Sequence, residues 1–372
     1  MVRLSDFDYH LPEELIAQSP LAERDASRLL HLDPTTGNVQ HRRFRDVVDI
    51  LQPGDVLVLN NTRVNAWRFR GKKPTGGDVE ILCLNETAPG VFESLIKPAK
   101  RLKPGSTFDL GKGVQGTVLA GGEEPIRIVQ LTCSEGNLNE RLGQIGEMPL
   151  PPYITEKLDD SERYQTVFSQ SNGSAAAPTA GLHFTQDIIT ALQAKGVKIA
   201  YVTLHVGIDT FRPIQVDDVS THQMHGEVCE ISPQAADIIN SMNTPSPARA
   251  LQGERGSGES NGVAEGELPE SKLQTPRVIA VGTTAVRTLE TFATALGTVE
   301  PGRKISRLFI TPGYRFQIVN GMFTNFHFPR TTMLLMISAL SSREQILTAY
   351  QQAVEEKYRF LSFGDSMLLL KS

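Results

Sequence analysis

The chain has 372 residues, 40% of them hydrophobic and 21% charged, with a formal net charge of −5. That is enough apolar material for one large core or two smaller ones, and it excludes a globally disordered chain. Three scattered cysteines, Cys83, Cys133 and Cys229, form no CxxC pair, which argues against a disulfide framework or a zinc knuckle and for a reducing, cytoplasmic setting.

In chain order, Pro12 at a first helical position predicts a short helix over 13–18. No apolar signal segment accompanies the acidic opening of Asp6, Asp8, Glu13 and Glu14. Residues 28–32 and 39–44 flank a turn of Asp33, Pro34, Thr35, Thr36 and Gly37 and predict a hairpin. A helix over 45–51 stops before Pro53 and Gly54, and the apolar strand 55–59 runs into Asn60. From 66 to 148 the character changes to short β-rich runs (79–84, 92–97, 107–110, 114–119 and 126–132) between Gly and Pro turns, which predict a small β-barrel.

From 149 the α/β pattern resumes. Thr185 is placed to cap a helix over 186–195, with Ile188, Ile189 and Leu192 on one face and Gly196 at its end. A buried strand over 197–206 follows, then a strand over 277–281 and a helix from Thr283. Strands are expected at 307–310 and 316–319, and helices from Thr332 and Ser342, with Ser341 and Glu344 in a capping-box pattern. Residues 244–276, rich in Gly, Ser, Glu and Pro, predict a disordered insertion loop. The fold expected is a layered α/β domain (1–65 plus 149–372) interrupted by a small β-barrel domain (66–148). The longest apolar run, 333–340, is too short to span a bilayer, so no membrane partner is expected.

Charge is segregated. Between Trp67 and Gly105 eight basic residues stand against four acidic ones, and Lys72, Lys73, Lys100 and Arg101 make a patch that permits RNA binding. Polar stretches recur where strands end, which is where open α/β folds place their sites. After strand 55–59, Asn60, Asn61, Thr62 and Arg63 can grip a carboxylate or phosphate, or merely close their own loop. His183 lies among small residues that let a ligand approach the backbone, and its imidazole suits proton transfer near neutrality or a purely structural place. His205 and Asp209 suit a base and its orienter, or a packed imidazole and a turn carboxylate. His222, His225 and Glu227 raise the question of a metal, although the spacing is not HExxH. Thr283 and Thr284 open a helix after an apolar strand, with Arg287 one turn on, either a seat for an anion or for ribose hydroxyls or simply a well-capped helix. Asn325 and His327 precede the apolar helix from Thr332.

Together and in this order, the segments NNTRV (60–64), APTAGLHF (177–184), LHVGIDTF (204–211), HQMHGE (222–227), GTTAVRTLE (282–290) and TNFHFP (324–329) resemble the S-adenosylmethionine:tRNA ribosyltransferase-isomerase family. The opening LSDFDYHLP (4–12) and the closing YRFLSFGDSM (358–367) match as well, so the resemblance spans the chain apart from 244–276. It implies ribosyl transfer from S-adenosylmethionine to 7-aminomethyl-7-deazaguanine at a tRNA wobble position, giving epoxyqueuosine, adenine and methionine. S-adenosylmethionine is then a consumed substrate; no cofactor, metal or obligate protein partner is implied. For that chemistry His183, His205, Asp209 and His327 are the catalytic candidates. Arg63, Thr283, Thr284, Arg287 and Asn325 are the substrate-binding candidates, and all are expected to line one cleft. Lys72, Lys73, Lys100 and Arg101 become the expected tRNA patch. Two other readings are a metal-dependent hydrolase on His222, His225 and Glu227, and a non-catalytic RNA-binding module.

Overall fold

The computed structural model describes residues 2–64, 67–121, 126–207, 217–222, 224, 226–242, 275–295 and 297–371. The segment 244–276 lies outside these residues except for Thr275 and Pro276. The chain divides into two compact units, a larger one of 1–60, 179–203 and 213–372 and a smaller one of 61–178 and 204–212. The smaller unit is wider than the composition break at 66–148.

The elements begin with β1 (Arg28–Leu32), β2 (Val39–Arg43), α1 (Val47–Ile50), β3 (Val56–Asn60) and β4 (Thr62–Val64). Next come β5 (Arg68–Lys72), β6 (Asp78–Ala88), β7 (Val91–Lys97), β8 (Thr107–Gly111), β9 (Val114–Gly121), β10 (Arg127–Cys133), α2 (Leu138–Ile145) and β11 (Ser171–Ser174). Then follow α3 (Gln186–Ala194), β12 (Lys198–Leu204), β13 (Glu227–Ile231), α4 (Pro233–Asn240), β14 (Val278–Val281) and α5 (Thr283–Thr291). The last are β15 (Ala293–Ala295), β16 (Thr298–Val299), β17 (Gly302–Ser306), β18 (Gly321–Asn325), α6 (Thr332–Leu340), α7 (Arg343–Glu355) and β19 (Ser366–Leu370). The protein is mixed α/β. Among the described residues no helix is long and apolar enough to cross a membrane.

The larger unit is built on a nine-stranded sheet ordered β17-β13-β12-β3-β14-β18-β19-β1-β2. β12, β3, β14 and β18 run parallel, so their carboxyl ends share one end of the sheet. β19 runs antiparallel to β18 and parallel to β1. Continuous apolar sequence makes the middle: β3 and β14 are buried at every position, as strands covered on both faces must be. The outer strands are charged instead. β2 exposes Arg42 and Arg43, and β17 exposes Arg303 and Lys304, which discourages pairing with another chain. α3 buries Ile188, Ile189 and Leu192, and its cap Thr185 accepts from the Ile188 N–H at 3.2 Å.

Several local expectations are corrected. Residues 13–18 form only a 3-10 turn, Glu13–Leu15, because the chain beyond it extends to pair with Phe360. The strands expected at 307–310 and 316–319 lie instead at β17 and β18. In the latter stretch the N–H groups of Gln317, Ile318 and Val319 donate to the Glu290 carboxylate at 2.9, 3.0 and 3.0 Å, so a side chain takes the place of a neighbouring strand. α7 is capped by Ser342 rather than Ser341, through the Gln345 N–H.

In the smaller unit six strands close into a ring ordered β10-β7-β6-β5-β8-β9. Burial alternates along β7, β8 and much of β9, and Phe69, Ile81, Phe92, Ile96, Phe108, Val118 and Val129 fill the inside. Gly116 admits Phe108: a methyl group there would sit 1.9 Å from its ring. Antiparallel pairing brings the end of β5, the start of β6 and the end of β7 to one rim. Lys72 and Lys73 lie there, with Lys100 and Arg101 on the turn Ala99–Arg101 that follows β7. Lys72 stands opposite Asp78 and Asp109 in register, whereas Lys73, Lys100 and Arg101 have no ion pair among the described residues.

Candidate active site

In the larger unit the carboxyl ends of β3, β14 and β18 present Asn60, the Gly282-Thr283-Thr284 turn and Asn325. The Asn60 amide donates to Thr284 Oγ1 at 3.1 Å. Gly282 has φ +86° and begins α5 without any side-chain cap, so the first N–H groups of that helix carry no capping side chain. A methyl group on Gly282 would lie 3.5 Å from the Ala180 Cβ, which brings segment 179–183 against the same turn. Thr283 and Thr284 are half-buried.

Segment 179–183 is tied to β18. Thr179 Oγ1 donates to Asn325 Oδ1 at 2.8 Å, and Asn325 Nδ2 lies 3.1 Å from His183 Nε2. His183 Nδ1 lies 2.8 Å from Ser27 Oγ, and the ring stacks on Phe44 with centroids 5.1 Å apart. Both ring nitrogens are thus engaged in a buried site. Burial, with Arg24 and Arg359 nearby, pushes the imidazole pKa down to about 3. His183 is therefore neutral and enclosed, unlike the proton-transfer group expected.

His327 follows β18. Its Nε2 lies 2.7 Å from Thr324 Oγ1, its N–H donates to Tyr350 at 3.1 Å, and its carbonyl accepts from Tyr9. Burial pushes its pKa down to about 4. Arg287 is 6% exposed and pairs with buried Glu227, while also donating to the Ser306 carbonyl at 3.2 Å. Its charge holds α5 to β13 and β17, which takes it away from the expected carboxylate clamp. The same pair occupies the carboxylate of the proposed metal set. His222 packs edge-on against Phe309, and His225 lies outside the described residues.

In the smaller unit β4 pairs in parallel with β11, with a register shift between Asn172 and Ser174. Gly173 sits at that bulge with φ +132°, and a methyl group on it would lie 3.2–3.4 Å from the His205 ring. The bulge and the missing side chain together make room for the imidazole. Thr62 Oγ1 donates to the Ser171 carbonyl at 3.4 Å and lies 2.8 Å from His205 Nδ1. His205 is half-buried. On the next residue of β4, Arg63 donates to Ser169 Oγ at 3.0 Å and pairs with Glu162, whose side chain is 60% exposed. Asp209 lies outside the described residues. Ser27 and Glu162 carried no signal in the sequence, whereas Thr62, Gly173 and Thr179 lay inside the polar or small-residue segments without the partners now seen.

The family model described as queuosine biosynthesis protein matches residues 4–247 and 263–369. A curated relative from Desulforamulus reducens, named S-adenosylmethionine:tRNA ribosyltransferase-isomerase, is 46% identical over 371 residues, covering 99% of this chain and 100% of the relative. The crystal structure of S-adenosylmethionine tRNA ribosyltransferase from Thermotoga maritima is similar at 31% identity, with a TM-score of 0.50, covering 98% of this chain and 100% of that one.

Proposed function

The chain belongs to the queuosine biosynthesis protein family, and on that premise we propose that it is an enzyme transferring the ribosyl group of S-adenosylmethionine to tRNA and isomerising it. The observation that carries this reading is the 46% identity sustained along the full length of the Desulforamulus relative. The acceptor is 7-aminomethyl-7-deazaguanine at the wobble position, and the product is epoxyqueuosine. The six-stranded ring is an inserted domain, whose basic rim at Lys73, Lys100 and Arg101 meets the tRNA backbone, with Lys72 a lesser contributor beside Asp78 and Asp109.

The chemistry starts from the acidity that the sulfonium lends to the 5′ carbon. A base removes a proton there and adenine leaves. The aminomethyl nitrogen of the tRNA base bonds to one ribosyl carbon and gives up a proton, adenine takes up a proton in place of its broken C–N bond, and closure of the epoxide breaks the C–S bond and expels methionine with the electron pair on sulfur. His205 is the group suited to proton transfer, since Thr62 orients its ring and it is half-buried. Arg63 clamps the methionine carboxylate, which replaces the exposed Glu162 on its guanidinium fork. Thr283, Thr284 and the start of α5 supply donors to the ribose. His327, neutral near pH 7, serves as a hydrogen-bonding residue, and Asn325 orders segment 179–183.

Incubation with S-adenosylmethionine and tRNA carrying the deazaguanine precursor tests the whole reading. Free adenine should appear in proportion to modified tRNA and persist with chelator. Absence of adenine with both substrates present would sink it.

A further inference from the structure

A directed run of hydrogen bonds crosses the larger unit and ends on a half-buried threonine. At its inner end is the Arg24 carbonyl, which can only accept; Ser27 Oγ donates to it at 3.4 Å. Because Asn325 Nδ2 faces His183 Nε2 and can only donate, neutral His183 carries its proton on Nδ1 and gives it to Ser27 Oγ, 2.8 Å away. Neutral His183 then has only a lone pair on Nε2, and that lone pair takes a proton from Asn325 Nδ2 at 3.1 Å. With Nδ2 on His183, Oδ1 of the same amide faces Thr179 and accepts its hydroxyl at 2.8 Å. Each link leaves the next group a single polarity. The last, Thr179 Oγ1, has given its proton inward and keeps only lone pairs for anything beyond. Thr179 is half-buried, unlike Ser27, His183 and Asn325, which are 2%, 4% and 2% exposed. Its neighbour Ala180 packs on Gly282, beside the half-buried hydroxyls of Thr283 and Thr284.

We propose that Thr179 contacts the donor substrate and accepts a hydrogen bond from one of its ribose hydroxyls, and that His183 is the positioning residue that fixes this polarity. The proposal rests on the reading of S-adenosylmethionine as substrate and adds a specificity contact to it. Thr283 and Thr284 can donate or accept, but Thr179 can only accept. A diol held between these groups is told apart from an ether or a deoxy sugar, which has no proton to give at that position. His183, in turn, works through Asn325 and transfers no proton.

Binding of S-adenosylmethionine and its 2′-deoxy and 3′-deoxy analogues to the full chain, measured calorimetrically without tRNA, tests the contact. The wild type should bind one of the two analogues about tenfold more weakly, the worth of one hydrogen bond to an enclosed acceptor. Thr179→Val should bind S-adenosylmethionine about tenfold more weakly and lose that discrimination, while Thr179→Ser keeps it. Equal discrimination in wild type and Thr179→Val would overturn the assignment. His183→Gln keeps one acceptor and one donor and should preserve the discrimination and the shape of the pH profile of adenine release; His183→Leu should lose the discrimination. Loss of one limb of that profile in His183→Gln would overturn the positioning role. Should His183→Leu fail to fold, the Thr179 pair still decides. A wild type that neither binds S-adenosylmethionine nor releases adenine would instead sink the functional reading beneath the proposal.

Discussion

The segments around His183 and His205 carry similar signals in the sequence, each a histidine set among small or apolar residues at the end of a regular element, yet the fold treats them in opposite ways. In the larger unit His183 is stacked on Phe44, bonded at both nitrogens and held neutral. In the smaller unit His205 is half-buried, and a glycine bulge makes space for its ring. The difference teaches that an imidazole in a matched motif is a candidate for two kinds of work. Burial and the accounting of its two nitrogens decide between them.

The largest expected effect that sharpens this contrast is on turnover. His205→Ala should fold normally and lower the rate of adenine release by roughly 10²–10⁴-fold, the range for removing an acid or base. A variant that keeps most of its turnover would return the proton transfer to another group. His183→Ala should show the reverse emphasis, with a stability loss of about 2–4 kcal/mol in chemical denaturation from the vacated aromatic site and its lost bonds. An unchanged denaturation midpoint would contradict its structural placement.

The enclosed imidazoles also give stability a pH dependence of definite sign. His183 and His327 have folded-state values lowered to about 3 and about 4 from an ordinary 6.5, so the unfolded chain takes up their protons more readily. Their contribution is complete above about pH 6.5 and is lost as the pH falls towards those values, with a slope of up to about 1.4 kcal/mol per pH unit for each. Denaturant midpoints measured between pH 7 and 4 should therefore fall, and His183→Gln should show a shallower decline. A flat profile in the wild type would mean that neither ring is shielded. Smaller again is the effect of Gly173→Ala. Its methyl group meets the His205 ring, and the positive φ is strained for alanine, so turnover should drop by roughly tenfold with little change in fold. The least effect belongs to the barrel rim. Neutralising Lys73, Lys100 and Arg101 should weaken tRNA binding and reduce its salt slope by up to about 0.9 per lost phosphate contact, and Lys72→Gln alone should do less.

The parts of the fold legible in the sequence were those whose signal is local. Val56–Leu59 and Val278–Val281 read as strands because every position is apolar, and the capped helix after Thr185 read correctly because cap, periodic face and terminal glycine agree. β5 was hidden because its three basic residues alternate with a single apolar residue, Phe69, and a glycine. β17 was hidden because it lies at a charged edge. The expectation of a strand at 316–319 failed for a long-range reason: Glu290, about 28 residues earlier, supplies the hydrogen-bond acceptors that a neighbouring strand would have supplied. The site followed the same division. Residue types were legible, but the pairing of Arg287 with Glu227 and of His183 with Ser27 joins positions 60 and 156 residues apart, and no spacing rule reports such partners.

The sheet order has a further consequence for how the protein is made. β19 lies between β18 and β1, so Leu29 waits for Ser366, and the hairpin of β1 and β2 joins the other six strands only through β19, synthesised more than 330 residues later. At translation rates of about 5–20 residues per second that interval is roughly 20–70 s. Throughout it β1 presents an unpaired edge, β18 adds a second one only once it has been made, and completion of the sheet interior awaits the synthesis of β19.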